Sequence, residues 1–168
     1  YTNCVANVLP RSNQLAVLSA LVEGSSVRST EGMVGVHRDT ICRLLVSVGA
    51  GCATLLDATM RDLPCKRLEI DELWAFVGKK QRYVTSRDDT GRVGDTWPYV
   101  AIDAETKLVP SFLTGKRNAE TTEAFIADVS RRLRNRVQIS TDGLRLYVQA
   151  IEQSFGTKVF YVAQLDDG

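Results

Sequence analysis

The chain has a single histidine, His37, and four scattered cysteines, Cys4, Cys42, Cys52 and Cys65, with no C-x-x-C pair among them. A structural zinc site needs four closely organised nitrogen and sulfur ligands, so this composition excludes one. The cysteines read as small buried or surface residues of a reducing cytosol. Long apolar runs are also missing: no stretch approaches the roughly 20 apolar residues of a membrane span. No charged segment leads into an apolar one near the start, which argues against a secretory signal. Charge of one sign is lacking as well. With 21 basic and 20 acidic side chains the formal net charge is +1, so the whole-chain balance does not mark a nucleic-acid binder. Tyr1 at the start, and Asp166-Asp167-Gly168 directly after a strand-like run, read as cut ends.

What is present is a soluble globular composition, long enough for one domain or two small ones. Local charge says more than the total. Between Gly115 and Arg136 stand six basic residues, Lys116, Arg117, Arg131, Arg132, Arg134 and Arg136, against three acids. Lys79, Lys80 and Arg82 form a second basic cluster. Either can neutralise phosphate or simply be a solvated face.

Residues from about Asn13 to Gly51 have helical period. Leu15, Leu18 and Val22 predict one stripe, stopped by Gly24. Ser25-Ser26 offers an N-cap for a short helix from Val27 to about Met33, and Gly35 permits a tight turn. Ile41, Leu44, Leu45 and Val48 predict a third helix. Two short helices around a glycine turn suit a helix-turn-helix, whose second helix enters the major groove by its N-terminal residues. The outward residues there are His37, Arg38, Asp39, Thr40 and Arg43, all able to hydrogen-bond bases or phosphates. The competing reading is a plain three-helix bundle with a charged face, in which His37 is a capping or surface residue.

From Lys66 onward the pattern predicts α/β structure. Leu68–Val77 suits a buried strand, and Thr85–Thr96 a polar loop. Trp97–Asp103 and Leu108–Leu113 suit a hairpin, and Ala119–Leu133 an amphipathic helix with Phe125, Ile126, Val129 and Leu133 inward. A strand over Val137–Ser140, a helix over Leu144–Phe155 and a strand over Lys158–Val162 complete it. The expected division is a helix-turn-helix region over 1–51, a linker over 52–65 with a helix as an open alternative, and an α/β domain over 66–168.

Two of these strands lead into aspartates, Asp71 and Asp142. In neighbouring strands of one sheet the carboxylates would converge, and paired carboxylates repel unless a cation lies between them. Hard oxygen ligands select magnesium or manganese, and two such ions can drive phosphoryl transfer. The alternative is two ordinary strand-end acids paired to arginines. Glu69 and Glu72 compete with Asp71, although side chains alternate along a strand, so only one face can carry a site. Asp103 reads as a turn residue.

Several blocks in order resemble the DDE transposases of the insertion sequence one family. They are Gly35-Val36-His37-Arg38-Asp39-Thr40-Ile41, Ile70-Asp71-Glu72-Leu73-Trp74, Phe76-Val77-Gly78-Lys79-Lys80, Ala101–Leu108, Gly115-Lys116-Arg117 and Gln138–Gly143. The resemblance spans about Gln14 to about Tyr161. It implies an N-terminal helix-turn-helix followed by an RNase H-like mixed sheet with helices. It also implies magnesium- or manganese-dependent nicking and strand transfer on double-stranded DNA, namely transposon terminal repeats and target DNA. Asp71 and Asp142 take the places of the first two catalytic acids and metal ligands, and Lys116 and Arg117 suit a grip on phosphate. The third acid, a glutamate, would fall on a last helix beyond the final strand. Glu152 is a poor substitute, being on the helix before that strand. The resemblance further implies a homo-oligomer in the cytoplasm of a bacterium or archaeon, associated with the nucleoid and not with a membrane. A truncated, non-catalytic DNA-binding repressor of transposition is the alternative.

Overall fold

The computed structural model describes residues 8–141, 145–156 and 159–163. The chain divides into two compact units, residues 1–55 and 56–168.

The first unit contains α1 (Arg11–Val22), α2 (Val27–Val34) and the first part of α3 (Arg38–Thr59). Ser26 caps α2, its hydroxyl accepting the Ser29 N–H at 3.1 Å. Gly35 closes it in the left-handed region (φ 70°), where a side chain would be strained. Val17, Val36 and Ile41 are buried, with Leu21, Val27, Val34 and Leu44 packed around them. The stripe predicted for α1 is corrected here. Leu15 and Val22 are exposed, and the buried line runs through Val17 and Leu21 at i and i+4. With so many apolar residues on one short helix, periodicity alone admits two faces.

α3 is longer than expected. It continues without a break through Gly49 and Gly51 and most of the expected linker, ending at Thr59. By length and composition it is also apolar enough to cross a membrane, which corrects the expectation that no stretch comes near. Gly, Ser, Thr and Cys interrupt its apolar residues in sequence, yet the mean hydropathy of the helix stays high.

The second unit is built on a six-stranded mixed sheet of β1 (Arg67–Glu72), β2 (Ala75–Val77), β3 (Gly94–Asp103), β4 (Ser111–Gly115), β5 (Val137–Thr141) and β6 (Val159–Ala163). β3 lies antiparallel to β1 and β4, while β5 is parallel to β1 and β6 parallel to β5. Ordered β4-β3-β1-β5-β6, with the first three strands a meander and the last two parallel crossovers, the sheet is RNase H-like. α4 (Ala119–Arg132) and α5 (Arg145–Phe155) provide those crossovers. Phe125, Ile126, Val129, Tyr147, Ala150 and Ile151 bury against Leu68, Ile70, Tyr99, Ala101 and Ile139 of the sheet. The inward set predicted for α4 is the one observed. The residues expected to begin the last helix and strand, Leu144 and Lys158, lie outside the described residues.

The single strand expected over Leu68–Val77 is two. β1 and β2 keep one register on β3, with Glu72 opposite Tyr99 and Ala75 opposite Thr96. Between them Leu73 donates its N–H to the Pro98 carbonyl at 2.9 Å, but Pro98 has no N–H to return. One ladder bond is therefore missing where the strand loses its regularity.

α3 is secured at its C-terminal end within this second unit. Arg132, 4% exposed, donates from Nη1 to the carbonyls of Leu56 (3.1 Å) and Met60 (3.4 Å). Its Nη2 reaches Asp57 and Asp128, each at 3.1 Å, and its Nε reaches Asp128 at 2.6 Å. Ser111 of β4 donates to the same Asp128 carboxylate at 2.6 Å. The guanidinium thus adds a second donor to the Leu56 carbonyl, which already accepts the Met60 N–H at 2.8 Å, and caps the Met60 carbonyl just past the helix end.

Candidate functional site

Side chains alternate along β1. Leu68, Ile70 and Glu72 turn to the helix-covered face, and Arg67, Glu69 and Asp71 are exposed on the other. Asp71 is the last residue of the exposed set. Its Oδ1 accepts the N–H of Glu72 at 2.8 Å, and no basic side chain pairs with it among the described residues. Chemically it is an accessible, hard, anionic oxygen donor at the carboxyl end of a strand.

β1 and β5 run side by side in the same direction, Leu68 opposite Ile139 and Glu69 opposite Ser140. From β1 the chain turns to β3 on one side. From β5 it passes through α5 to β6 on the other. The strand order reverses between these two strands, and crevices at the carboxyl ends of such neighbours are where open α/β sheets bind ligands. Asp71 stands at that end of β1. Asp142 follows Thr141, the last residue of β5, and lies outside the described residues. No group of three potential metal ligands is found among the described residues.

Glu72, adjacent to Asp71, has a different environment. Its side chain is 1% exposed, and the Arg117 Nε lies 3.4 Å from its Oε1. The Arg117 guanidinium also rests 4.8 Å from the centre of the Trp97 ring, a cation–π arrangement. Lys116 is committed elsewhere: its ammonium donates to the carbonyls of Asp95 (2.8 Å) and Val93 (3.2 Å), tying the end of β4 to the start of β3. The Tyr99 hydroxyl donates to the Lys116 carbonyl at 3.4 Å and accepts from Thr122 at 3.4 Å. Burial raises the Tyr99 pKa, and the charge of Glu72 adds to that. Gly115 precedes this pair because a Cβ there would come within 2.5 Å of Thr121.

Asp103 has the turn role its sequence suggested. Its Oδ2 accepts the Thr106 hydroxyl at 2.5 Å and the Thr106 N–H at 3.2 Å, and the hydroxyl bond is the main reason its pKa is lowered.

In the first unit the sequence-predicted DNA-reading residues gather at the start of α3. The Arg38 N–H donates to Glu31 Oε1 of α2 at 2.9 Å, and the Asp39 N–H donates to His37 Nδ1 at 3.3 Å. Two orphan amides of the helix start are thereby satisfied, one of them by the histidine acting as a cap. Arg43 Nη2 donates to Thr40 at 3.3 Å. His37, Thr40 and Arg43 also line a shallow groove with Asn13 and Pro10. Glu31 was missed from sequence; its signal was an acid seven residues before the first residue of the third helix, which reads equally well as a surface charge.

A family described as a DDE domain matches residues 66–162. That span is more than half of the chain, which therefore belongs to this family of DDE transposase domains. The match is to a DDE domain labelled for the insertion sequence IS240. No curated protein matches the chain in sequence. Among solved structures, the Mos1 strand transfer complex is 16% identical with a TM-score of 0.38, covering 93% of this chain and 59% of that one. A pre-cleavage Mos1 transpososome is 13% identical with a TM-score of 0.37, covering 95% and 61%. The mariner Mos1 paired end complex with Mg is 16% identical with a TM-score of 0.36, covering 92% and 59%. The chain thus spans about three-fifths of the length of those transposase chains.

Proposed function

We propose that this chain is the DNA-reading and catalytic-acid portion of a transposase that cuts and joins the ends of an insertion sequence. The observation that supports this best is the pair of parallel neighbours β1 and β5 with Asp71 exposed at the carboxyl end of the first. On β5, Gln138 and Ser140 have the parity of the face opposite Val137, Ile139 and Thr141, and Asp142 is the next residue of that parity. Asp71 and Asp142 would then hold a magnesium or manganese ion. The donor set fits, since Asp71 offers an unpaired carboxylate while Glu72 is already matched by Arg117. When bound, such an ion lowers the pKa of a coordinated water or hydroxyl and stabilises the leaving oxygen.

The residues of the chain have separate tasks in this reading. Asp71 supplies negative charge to the site, and the Glu72 N–H fixes its carboxylate orientation. Arg117, 36% exposed at its side chain, adds positive charge where a phosphate would approach, and Lys116 holds the loop that carries it. Arg38, Thr40 and Arg43, with His37 and Asp39, face DNA from α3, with a homo-oligomer bringing two ends together.

The test is strand cleavage of a labelled insertion-sequence end in magnesium, with the protein carrying its native downstream sequence. Asp71→Asn and Asp142→Asn should each lower cleavage by at least about a hundredfold while leaving end binding intact. Cleavage that survives both substitutions would remove this assignment.

A further inference from the structure

Beyond Glu72 the chain presents large aromatic side chains to solvent. Trp74 and Phe76 are each 46% exposed, and Tyr83 is 57% exposed. A globular fold usually hides such residues, since each can bury 150–250 Å² of surface. These are fixed in place. Asp95 accepts the Gln81 N–H at 2.9 Å, and that amide first, then the Trp74 indole, lower its pKa. The Trp74 and Phe76 rings lie against each other with centroids 5.7 Å apart. Gly94, at φ 100°, holds the Gln81 side chain so close that a Cβ would collide with it.

Cations are set among these rings. The Lys80 ammonium lies 5.1 Å from the Trp74 ring centre, and the Arg82 guanidinium 4.7 Å from that of Tyr83. Residues 79–95 carry five cations against three acids, so the segment is net positive. Lys79 is neutralised by Asp88 at 2.7 Å, which leaves Lys80 and Arg82 associated with aromatic faces. Preorganised aromatic faces interleaved with cations form the chemistry that binds unpaired nucleotides: bases stack on the rings, and their phosphates meet the cations. A protein partner without acidic groups would gain nothing from the cations lying over these rings.

We propose that Trp74 and Phe76, with Lys80 and Arg82, form a stacking platform for unpaired bases at a DNA end. Trp74 lies about 10 Å along the strand from Asp71, and with Phe76 it has the strand parity of Glu72 rather than that of Asp71. An arriving base takes the ring face that Lys80 covers, and the ammonium transfers to that nucleotide's phosphate. The proposal rests on the DNA-processing reading above but concerns binding alone.

Binding of the full chain is compared for a blunt duplex and the same duplex with a three-nucleotide 3′ overhang, without divalent metal so that cleavage plays no part. The overhang should be preferred by about 5- to 100-fold. A 2-aminopurine in it should be quenched on binding. Trp74→Ala should abolish both preference and quenching while blunt binding is unchanged, and Trp74→Phe should restore most of the preference. Lys80→Ala with Arg82→Ala should reduce the salt dependence of the overhang term. Equal affinity for the two duplexes, or a preference that survives Trp74→Ala, overturns the platform. Absence of binding to either duplex counts against the DNA reading as a whole.

Discussion

Asp71 and Glu72 are consecutive in the chain and opposite in environment: one carboxylate is exposed and without a basic partner among the described residues, the other is buried at 1% exposure against Arg117. Strand alternation alone produces the contrast. It separates an acid available for chemistry from one consumed by the fold.

Arg117→Ala removes the Nε partner of a buried carboxylate, and its partial exposure places the cost below that of a fully buried pair. A loss of about 2 kcal/mol is expected in urea denaturation. Adding Glu72→Gln should recover part of it, because no charge is then left in the interior. A double-mutant cycle giving no coupling would show that the pair contributes nothing.

Glu31→Ala should cost about 1 kcal/mol, the size of a helix N-cap, since the Arg38 amide loses its acceptor. Hydrogen exchange at the Arg38 amide reads this directly: protection there should fall, while that of amides in α4 stays as it was.

Arg38→Ala and Arg43→Ala should each weaken duplex binding and reduce the slope of log K against log salt by about 1 if the contact is to phosphate. A slope unchanged in both variants would remove these side chains from the DNA surface.

Asp128 supplies a pH dependence. Burial pushes its pKa up, but hydrogen bonds and charge from Arg132, with the Ser111 hydroxyl, outweigh that and lower it. A depressed folded-state pKa contributes stability above the unfolded carboxyl value of about 3.9, and that contribution is lost as pH falls through the folded value. Melting temperatures of wild type and Asp128→Asn should therefore differ at pH 7, begin to converge below about pH 4, and meet only below the depressed folded value.

Local patterns were legible wherever neighbours in sequence are neighbours in space. The α4 stripe, the Ser26 cap, the turn at Asp103 and the acidic end of β1 all follow from residues a few positions apart. What stayed hidden depends on distant partners. The interruption after Glu72 is caused by Pro98, on another strand. The burial of Glu72 is matched by an arginine in the β4–α4 connection, and Lys116 is held by carbonyls more than twenty residues away in sequence. The apolar face of α1 was misjudged because two stripes fitted and only the tertiary core chooses between them. Trp74 and Phe76 read as core residues in a strand, and only the structure shows them exposed.

The alternation in β1 also makes a prediction about drift. In a pool of variants selected only for a folded product, Leu68, Ile70 and Glu72 would be held by packing and by Arg117. Asp71 would be free to become asparagine, serine or threonine. Any pool in which Asp71 is nevertheless retained would be recording selection on chemistry, at the one residue of this strand end where the two pressures can be told apart.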